Sequence, residues 1–232
     1  MLDSQQHEIR SLDLFRNMDE DNYAALMKAS YVQNFPPMID LIAEGDPSDF
    51  LHIIVGGSVE LFSAWNGHET SMATIRPVST FILAATIRDA PYLMSGRTLE
   101  KSRVVLVPSQ DVRDIFSRDG DFARAVVTEL AHCFRSVVKS SKDLKLRTSR
   151  ERLANYLLRQ QQRMGGERTF QLQTEKRRLA SYLGMTPENL SRAIKGLRPH
   201  GIEVNGANVT ITDEAALLAF AQPNPLIDDH AS

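Results

Sequence analysis

The 232-residue chain is 42% hydrophobic and 24% charged with a formal net charge of −2, a composition that suits one or two globular domains and gives the whole molecule no strong pull toward nucleic acid or acidic membranes. One cysteine, Cys133, excludes an intramolecular disulfide framework and any cluster or zinc site built from several thiolates of one chain. The polar start "MLDSQQHEIR" lacks the apolar core of a signal peptide, and no run approaches the roughly 18 apolar residues of a membrane helix, so a cytoplasmic protein is expected.

Residues 1–30 read as helix, with Leu14, Phe15, Leu26 and Met27 at roughly helical spacing and Asp19 as a cap. From about residue 31 to 107 the texture changes to short apolar or alternating runs, "MIDLIA", "FLHIIV", "SVELFSAW", "TSMATI" and "SRVVLV", separated by turn residues. Asn66-Gly67 between two of them is a hairpin signal, because both central positions of a type I′ turn need positive φ. Many short strands with regular turns predict a small antiparallel roll.

Helical period returns after Pro108, with Ser109 as the expected N-cap and a break at Asp119-Gly120. The run "DFARAVVTELAHCFRSVVKSSKDLKL" then contains neither proline nor glycine. Along it Ala123, Val126, Leu130, Cys133, Val137, Ser140 and Leu144 alternate at spacings of three and four, the seam of a coiled coil. An exposed stripe of that length is costly, so a parallel helix of a second copy is expected to cover Val126, Leu130, Cys133, Val137 and Leu144; packing on the chain's own roll is the alternative.

Near residue 147 the chain restarts with a capping-box pattern, Thr148 and Glu151, ahead of "RLANYLLRQQQR", and Gly165-Gly166 closes that helix. A short strand "TFQLQ", two short helices either side of Gly184, a hairpin "IEVNGANVTIT" turning at Asn205-Gly206, and a last helix near "DEAALLAF" follow. The expected organisation is α+β: a sensor roll with its N-terminal helix over 1–118, a dimerisation helix over 119–146, a winged helix-turn-helix over 147–222 and a flexible tail over 223–232.

The segment "TEKRRLASYLGMTPENLSRAIKGL" carries the chemistry. Leu179 and Leu183 line one face of a first helix, Ala180 is small where a second helix would cross, and Gly184 suits a tight turn. Thr186 is an N-cap and Pro187 the first helical residue. An apolar face of Leu190, Ala193, Ile194 and Leu197 then forces Glu188, Ser191, Arg192 and Lys195 outward, as on a helix that enters a DNA major groove. Arg192 can donate two parallel bonds to guanine, Glu188 can accept from cytosine, and Ser191 can bond to either kind of edge. Thr174, Arg177, Arg178, Thr186 and Lys195 are expected to face phosphates. The competing interpretation is a solvated face with an internal Glu188–Arg192 pair, four residues apart. Residues 171–200 hold six basic residues (Lys176, Arg177, Arg178, Arg192, Lys195, Arg198) against Glu175 and Glu188, which favours the DNA interpretation.

A roll, a long helix and a C-terminal winged helix-turn-helix together resemble the CRP/FNR family of bacterial transcription regulators, from "EGDPSDFLHIIVGGSVELF" to "EVNGANVTITD". Within the match, "PENLSR" is similar to the FNR-type recognition helix, which implies that Glu188, Ser191 and Arg192 read a TTGA-type half-site. The resemblance also implies a palindromic site, a homodimer and RNA polymerase as a partner. Family members that bind cyclic AMP carry Phe-Gly-Glu and a later Arg-Ser pair; here Phe81 precedes Ile82 and Leu83, and Tyr92-Leu93 fall where Arg-Ser would be. A nucleotide phosphate would meet an apolar wall there, so cyclic AMP is not expected. Nor is an iron-sulfur cluster, with one cysteine.

The remaining similarity is to the nitric-oxide-responsive branch, which implies haem as one identity for the effector. Phe81, Ile82, Leu83, Tyr92, Leu93 and Met94 would line its pocket, with the axial ligand open among His7, His52, His68 and His132. A roll that serves only as a scaffold is the other reading. A metal enzyme on a cupin-like roll has only His52 and His68-Glu69 to draw on, without the close His-x-His spacing, and no catalytic motif appears, so enzyme activity is not expected.

Overall fold

The computed structural model describes residues 3–172 and 175–229, and its contacts divide the chain into two units, Met1–His132 and Cys133–Ser232. The first unit opens with α1 (Asp3–Ser11), α2 (Asp13–Arg16) and α3 (Glu20–Ala29), where the sequence suggested one helical stretch. Asp19 caps α3 as expected, its carboxylate accepting from the Asn22 N–H.

Strands β1 (Tyr31–Phe35), β2 (Asp40–Ile42), β3 (Phe50–Gly56), β4 (Val59–Trp65), β5 (His68–Ile75) and β6 (Ser79–Phe81) follow, then α4 (Leu83–Arg88), β7 (Ser95–Thr98) and β8 (Ser102–Pro108). They form two four-stranded antiparallel sheets, ordered β1-β8-β3-β6 and β2-β7-β4-β5. Trp65 faces His68 across Asn66–Gly67, whose φ values of 50° and 76° are those of the predicted I′ turn. "FLHIIV" reads as an almost unbroken apolar run because β3 is covered on both faces. Leu51 and Ile53 join a core shared with the helices, whereas Ile54 joins the core between the sheets.

In α5 (Ser109–Arg118) the N-cap is Pro108, not Ser109. Ser109 is buried with its hydroxyl unpartnered, because its N–H is taken by the Asp49 carbonyl and the residue is drawn into the helix. α6 (Gly120–Leu146) is an unbroken 27-residue helix, about 40 Å long at 1.5 Å per residue. Val126 does not belong to an exposed seam: it is fully buried with Phe122 in the core of the first unit, because the start of α6 packs beside α3 and α5 residues. The large apolar side chains of α6 that stay exposed are Val127 (61%), Phe134 (70%), Val137 (66%), Val138 (41%), Leu144 (49%) and Leu146 (69%). Val127, Leu130, Phe134, Val137, Ser141 and Leu144 repeat at three and four, and of the residues expected along the seam Val126 alone is buried while Cys133, Val137 and Leu144 are exposed.

The second unit contains the rest of α6, then α7 (Ser149–Arg163), β9 (Thr169–Gln171), α8 (Lys176–Tyr182), α9 (Pro187–Gly196), a 3-10 turn at Arg198–His200, β10 (Ile202–Asn205), β11 (Asn208–Ile211), α10 (Glu214–Ala221) and α11 (Pro225–Asp228). Thr148 and Glu151 cap α7 reciprocally, as the sequence predicts. The hairpin turns at Gly206–Ala207, one residue later than expected, since Asn205 pairs with Asn208 and only the Gly206 φ is positive. Residues 223–229 are not a free tail: α11 forms there, because Asn224 caps it and Asp228 finds two arginine partners. Among the described residues no helix is long and apolar enough to cross a membrane, and no His/Cys/Asp/Glu cluster could hold a metal ion.

Asp119 ties two helix starts together. One oxygen accepts from the Asp121 and Phe122 N–H groups of α6, and the other from Asp19 N–H and the Asn22 amide at α3. Burial acts to raise its carboxyl, but these four bonds, Phe122 first, outweigh it and hold the group below the usual carboxylate range. Its stabilisation is therefore present above the ordinary aspartate pKa and is lost as pH falls through the lowered one. Asp119→Ala is expected to cost about 1–3 kcal/mol in urea unfolding at neutral pH, with the difference from the parent chain shrinking on acidification below about pH 4; a difference unchanged by pH would show that its charge is irrelevant.

Candidate nucleic-acid interface

α8 and α9 are seated from the inside. Leu179, Ala180 and Leu183 of α8 and its turn, and Leu190, Ala193 and Leu197 of α9 and its end, are buried in one core with Leu153, Ala154 and Leu157 of α7 and Ile202, Val209 and Ile211 of the hairpin. Gly184 takes φ +62° in the turn, and a Cβ there would meet Leu144 Cδ2 at 2.5 Å. The turn therefore needs glycine for its backbone, while the Leu144 side chain could yield to a Cβ. Arg152, buried, reaches across from α7 and donates to the carbonyls of Leu183 (2.8 Å), Gly184 (3.4 Å) and Arg147 (2.7 Å), so one guanidinium joins the turn to the α6–α7 link. Nothing in the sequence pattern singles out Arg152, because an arginine inside a helix usually faces solvent.

With that face fixed, Glu188, Ser191, Arg192 and Lys195 are all exposed on the other side of α9. Thr186 caps the helix, accepting from Asn189 N–H. The Glu188 carboxyl is held below its ordinary range by its own backbone N–H and by the Thr186 hydroxyl, with the Arg192 charge a lesser influence. Neither Arg192 nor Lys195 makes a hydrogen bond or contact ion pair among the described residues, and Arg192 acts on Glu188 through its charge alone. Ser191 donates to the Pro187 carbonyl at 3.0 Å, which leaves its oxygen lone pairs outward as acceptors.

Of the expected phosphate-facing residues, Arg177 and Lys195 are exposed, Arg178 is half-buried, and the Thr186 hydroxyl is engaged within the helix start. Thr174 lies outside the described residues. One residue was missed. Arg150, on the first turn of α7, lies along Gly196 of α9, where a Cβ would come within 2.9 Å of Arg150 Cδ. It shares a concavity of about 350 Å³ with Ser149, Asn189, Arg192 and Gly196. Its guanidinium has no partner among the described residues. Only the tertiary approach of α7 to α9 reveals it; the glycine at 196 is the one trace in the sequence.

In the roll, the expected pocket divides. Phe81 and Tyr92, with Ile82 and Met94 beside them, belong to the core between the sheets, together with Ile42, Ile54 and Leu61. Leu83 does not: it starts α4 and is buried in the other core, against the helices. Leu93 is 83% exposed, in the bend before β7. Of the four candidate histidines, His7, His68 and His132 are exposed and His52 alone is buried, its ring 5.0 Å from that of Phe81. Burial pushes its imidazole down to about 4, only partly offset by the hydrogen bond between Nδ1 and the Phe50 carbonyl. His52 is therefore neutral, with Nδ1 protonated and Nε2 free to accept.

Arg97, in β7 at the end of the segment, is bound to Glu60 (3.1 Å) and Glu69 (2.7 Å) and lies over the Phe62 ring. Two carboxylates already neutralise it, and Leu83 and Tyr92 supply no charge.

A roll of two antiparallel sheets, a long helix and a helix-turn-helix with a hairpin wing define a DNA-binding transcription regulator with an effector-type domain. The pattern of the cyclic nucleotide-binding domain matches residues 32–119 and that of the Crp-like helix-turn-helix domain residues 151–220. The chain is 25% identical to the CRP-like cAMP-activated global transcriptional regulator of Mycobacterium tuberculosis, over 90% of this chain and 96% of that protein. It is 22% identical to the transcriptional activator protein anr of Pseudomonas aeruginosa, over 78% and 76%. FixK2 from Bradyrhizobium japonicum shares the fold with a TM-score of 0.69 at 20% identity, over 84% of this chain and 98% of that one. The chain belongs to the CRP/FNR family of transcription regulators.

Arg150→Gln is expected to weaken binding to specific and random duplex by the same factor and to flatten the dependence of log affinity on log salt by about one unit. A loss confined to one sequence would instead make Arg150 a base reader.

Proposed function

We propose that this regulator acts as a homodimer that binds a palindromic site of TTGA-type half-sites and is gated by an effector in the roll other than a cyclic nucleotide. The observation that carries the DNA reading is the outward, exposed set Glu188, Ser191 and Arg192 on a helix whose opposite face is locked in the core. Arg192 reads guanine, Glu188 accepts from cytosine N4, and Ser191 accepts from a base amino group. Lys195, Arg177, Arg178, Arg150 and the start of α9 at Thr186 hold phosphates, and Thr174 joins them.

The dimer reading is supported by the exposed stripe of Val127, Phe134, Val137 and Leu144 on α6, an apolar surface that a second copy of the same helix covers. In a two-fold dimer each α9 meets its own half-site, about one duplex turn from the other. Bound there, the protein acts on transcription through RNA polymerase.

For the effector, the neutral His52 Nε2 among Phe81, Tyr92 and Met94 supports haem, whose iron an imidazole would hold. A scaffold without effector is favoured by a different observation, that Ile42, Ile54, Leu61, Phe81 and Tyr92 already fill the interior with the chain's own side chains.

Selection from a random duplex pool is expected to return inverted half-sites at that spacing; unpaired or unrelated sites would overturn the reading. Arg192→Ala is expected to cost about 1–3 kcal/mol on the selected site and to relax the choice at one guanine, and equal losses on selected and random duplex would count against base reading. Haem added to the purified protein is expected to give a Soret band that His52→Ala shifts, whereas no band from the parent chain leaves the scaffold.

A further inference from the structure

The helix-turn-helix pattern ends at residue 220, and the chain continues. Gln222, at φ 44°, reverses its direction, and α11 brings it back along the second unit. There it meets both sides of the link between α6 and α7, which consists of Arg147 and Thr148 alone.

Asp228 is the centre of the contact. It accepts two parallel bonds from Arg147, at 2.7 and 2.6 Å, and a third from Arg159 of α7 at 2.6 Å. Asp143 of α6 completes the group through Arg147 at 2.9 Å. The four side chains are 8–16% exposed, and their charges cancel. Along α6, Lys142 donates to the Leu226 carbonyl at 3.4 Å and Lys139 to that of Asp229. Ile227 is buried.

Four cations on α6, the link and α7 thus direct their donors to one short segment. Without it Arg159 keeps no acceptor among the described residues and Arg147 keeps only Asp143. A buried pair is costly to break from one side, so the segment resists leaving by parts. None of its residues lies on the exposed face of α9, and its contacts span the two-residue link between α6 and α7.

We propose that residues 223–229 are a strap that fixes the angle between α6 and α7, and through it the spacing of the two recognition helices in the dimer. This rests on the dimeric, two-half-site reading above. A two-site complex gains from linkage only when both sites can be met together, so a loosened joint loses affinity for the palindrome and not for an isolated half-site.

The test uses the full chain, Asp228→Asn, Arg159→Gln, and a chain ending at Gln222, titrated against the palindromic duplex and against a single half-site. Asp228→Asn and the shortened chain are expected to lose about tenfold or more on the palindrome and less than about twofold on the half-site, with Arg159→Gln between. Unchanged palindrome affinity overturns the strap, and so do equal losses on both duplexes, which would mean that the segment only supports the winged domain. Hydrogen exchange supplies an arm without DNA: the Arg147 and Arg152 amides, bonded to the Asp143 and Thr148 carbonyls, are expected to exchange faster in Asp228→Asn, and unchanged protection overturns the proposal. If the parent chain fails to bind the palindrome, the dimer reading falls while the exchange arm still decides the strap. If Asp228→Asn does not fold, Arg159→Gln, which leaves the Arg147 pair in place, carries both arms.

Discussion

The burial of Leu190, Ala193 and Leu197 is the constraint on which the DNA-facing surface depends. A helix with one apolar face has one favourable rotation about its axis. Once α7 and the hairpin strands occupy that face, the direction of Glu188, Ser191 and Arg192 is no longer free. Their polarity then follows as a consequence of position: a side chain that cannot reach the core must work in water or against a partner. The same core includes Phe170 from β9, so the strand before α8 and the wing after α9 are held by the residues that hold the helix.

Much of this was legible in the sequence, for identifiable reasons. Turn and cap chemistry is local, so Asn66-Gly67, the Thr148–Glu151 box and the Thr186-Pro187 start could be read from neighbours a few residues apart. Faces of short helices were legible as well, because their period is set by the backbone. What failed was whatever depended on a distant partner. Val126 has the spacing of a seam residue, and spacing alone cannot say whether its cover is another chain or α3 and α5; Phe122 beside it in the core decides. Leu83 and Leu93 belong to an apolar run that α4 interrupts; one is buried against the helices and the other is exposed in the bend before β7. Arg150 and Arg152 were invisible because an arginine's partner is chosen by tertiary approach, and the tail was misread because Asp228 meets Arg147 across a separation of 81 residues.

In the roll, Arg97 lies between Glu60 and Glu69. That arrangement turns a residue able to recognise an anion into part of the sheet's internal bonding. The interior keeps one group with unspent polarity, the Nε2 of His52, in surroundings where protonation is unfavourable. Any ligand that uses it meets a lone pair rather than a charge.

Arg152 has a consequence for how this protein can change over generations. Each of its three acceptors is a main-chain carbonyl, those of Arg147, Leu183 and Gly184, and a carbonyl persists whichever amino acid occupies the position. Drift at Leu183 therefore leaves the joint's hydrogen bonds with something to hold, whereas Gly184 is fixed by its positive φ and Arg147 by its pair with Asp228. The whole tolerance rests on a single codon, the one for the guanidinium itself, which no other side chain replaces with the same reach and number of donors.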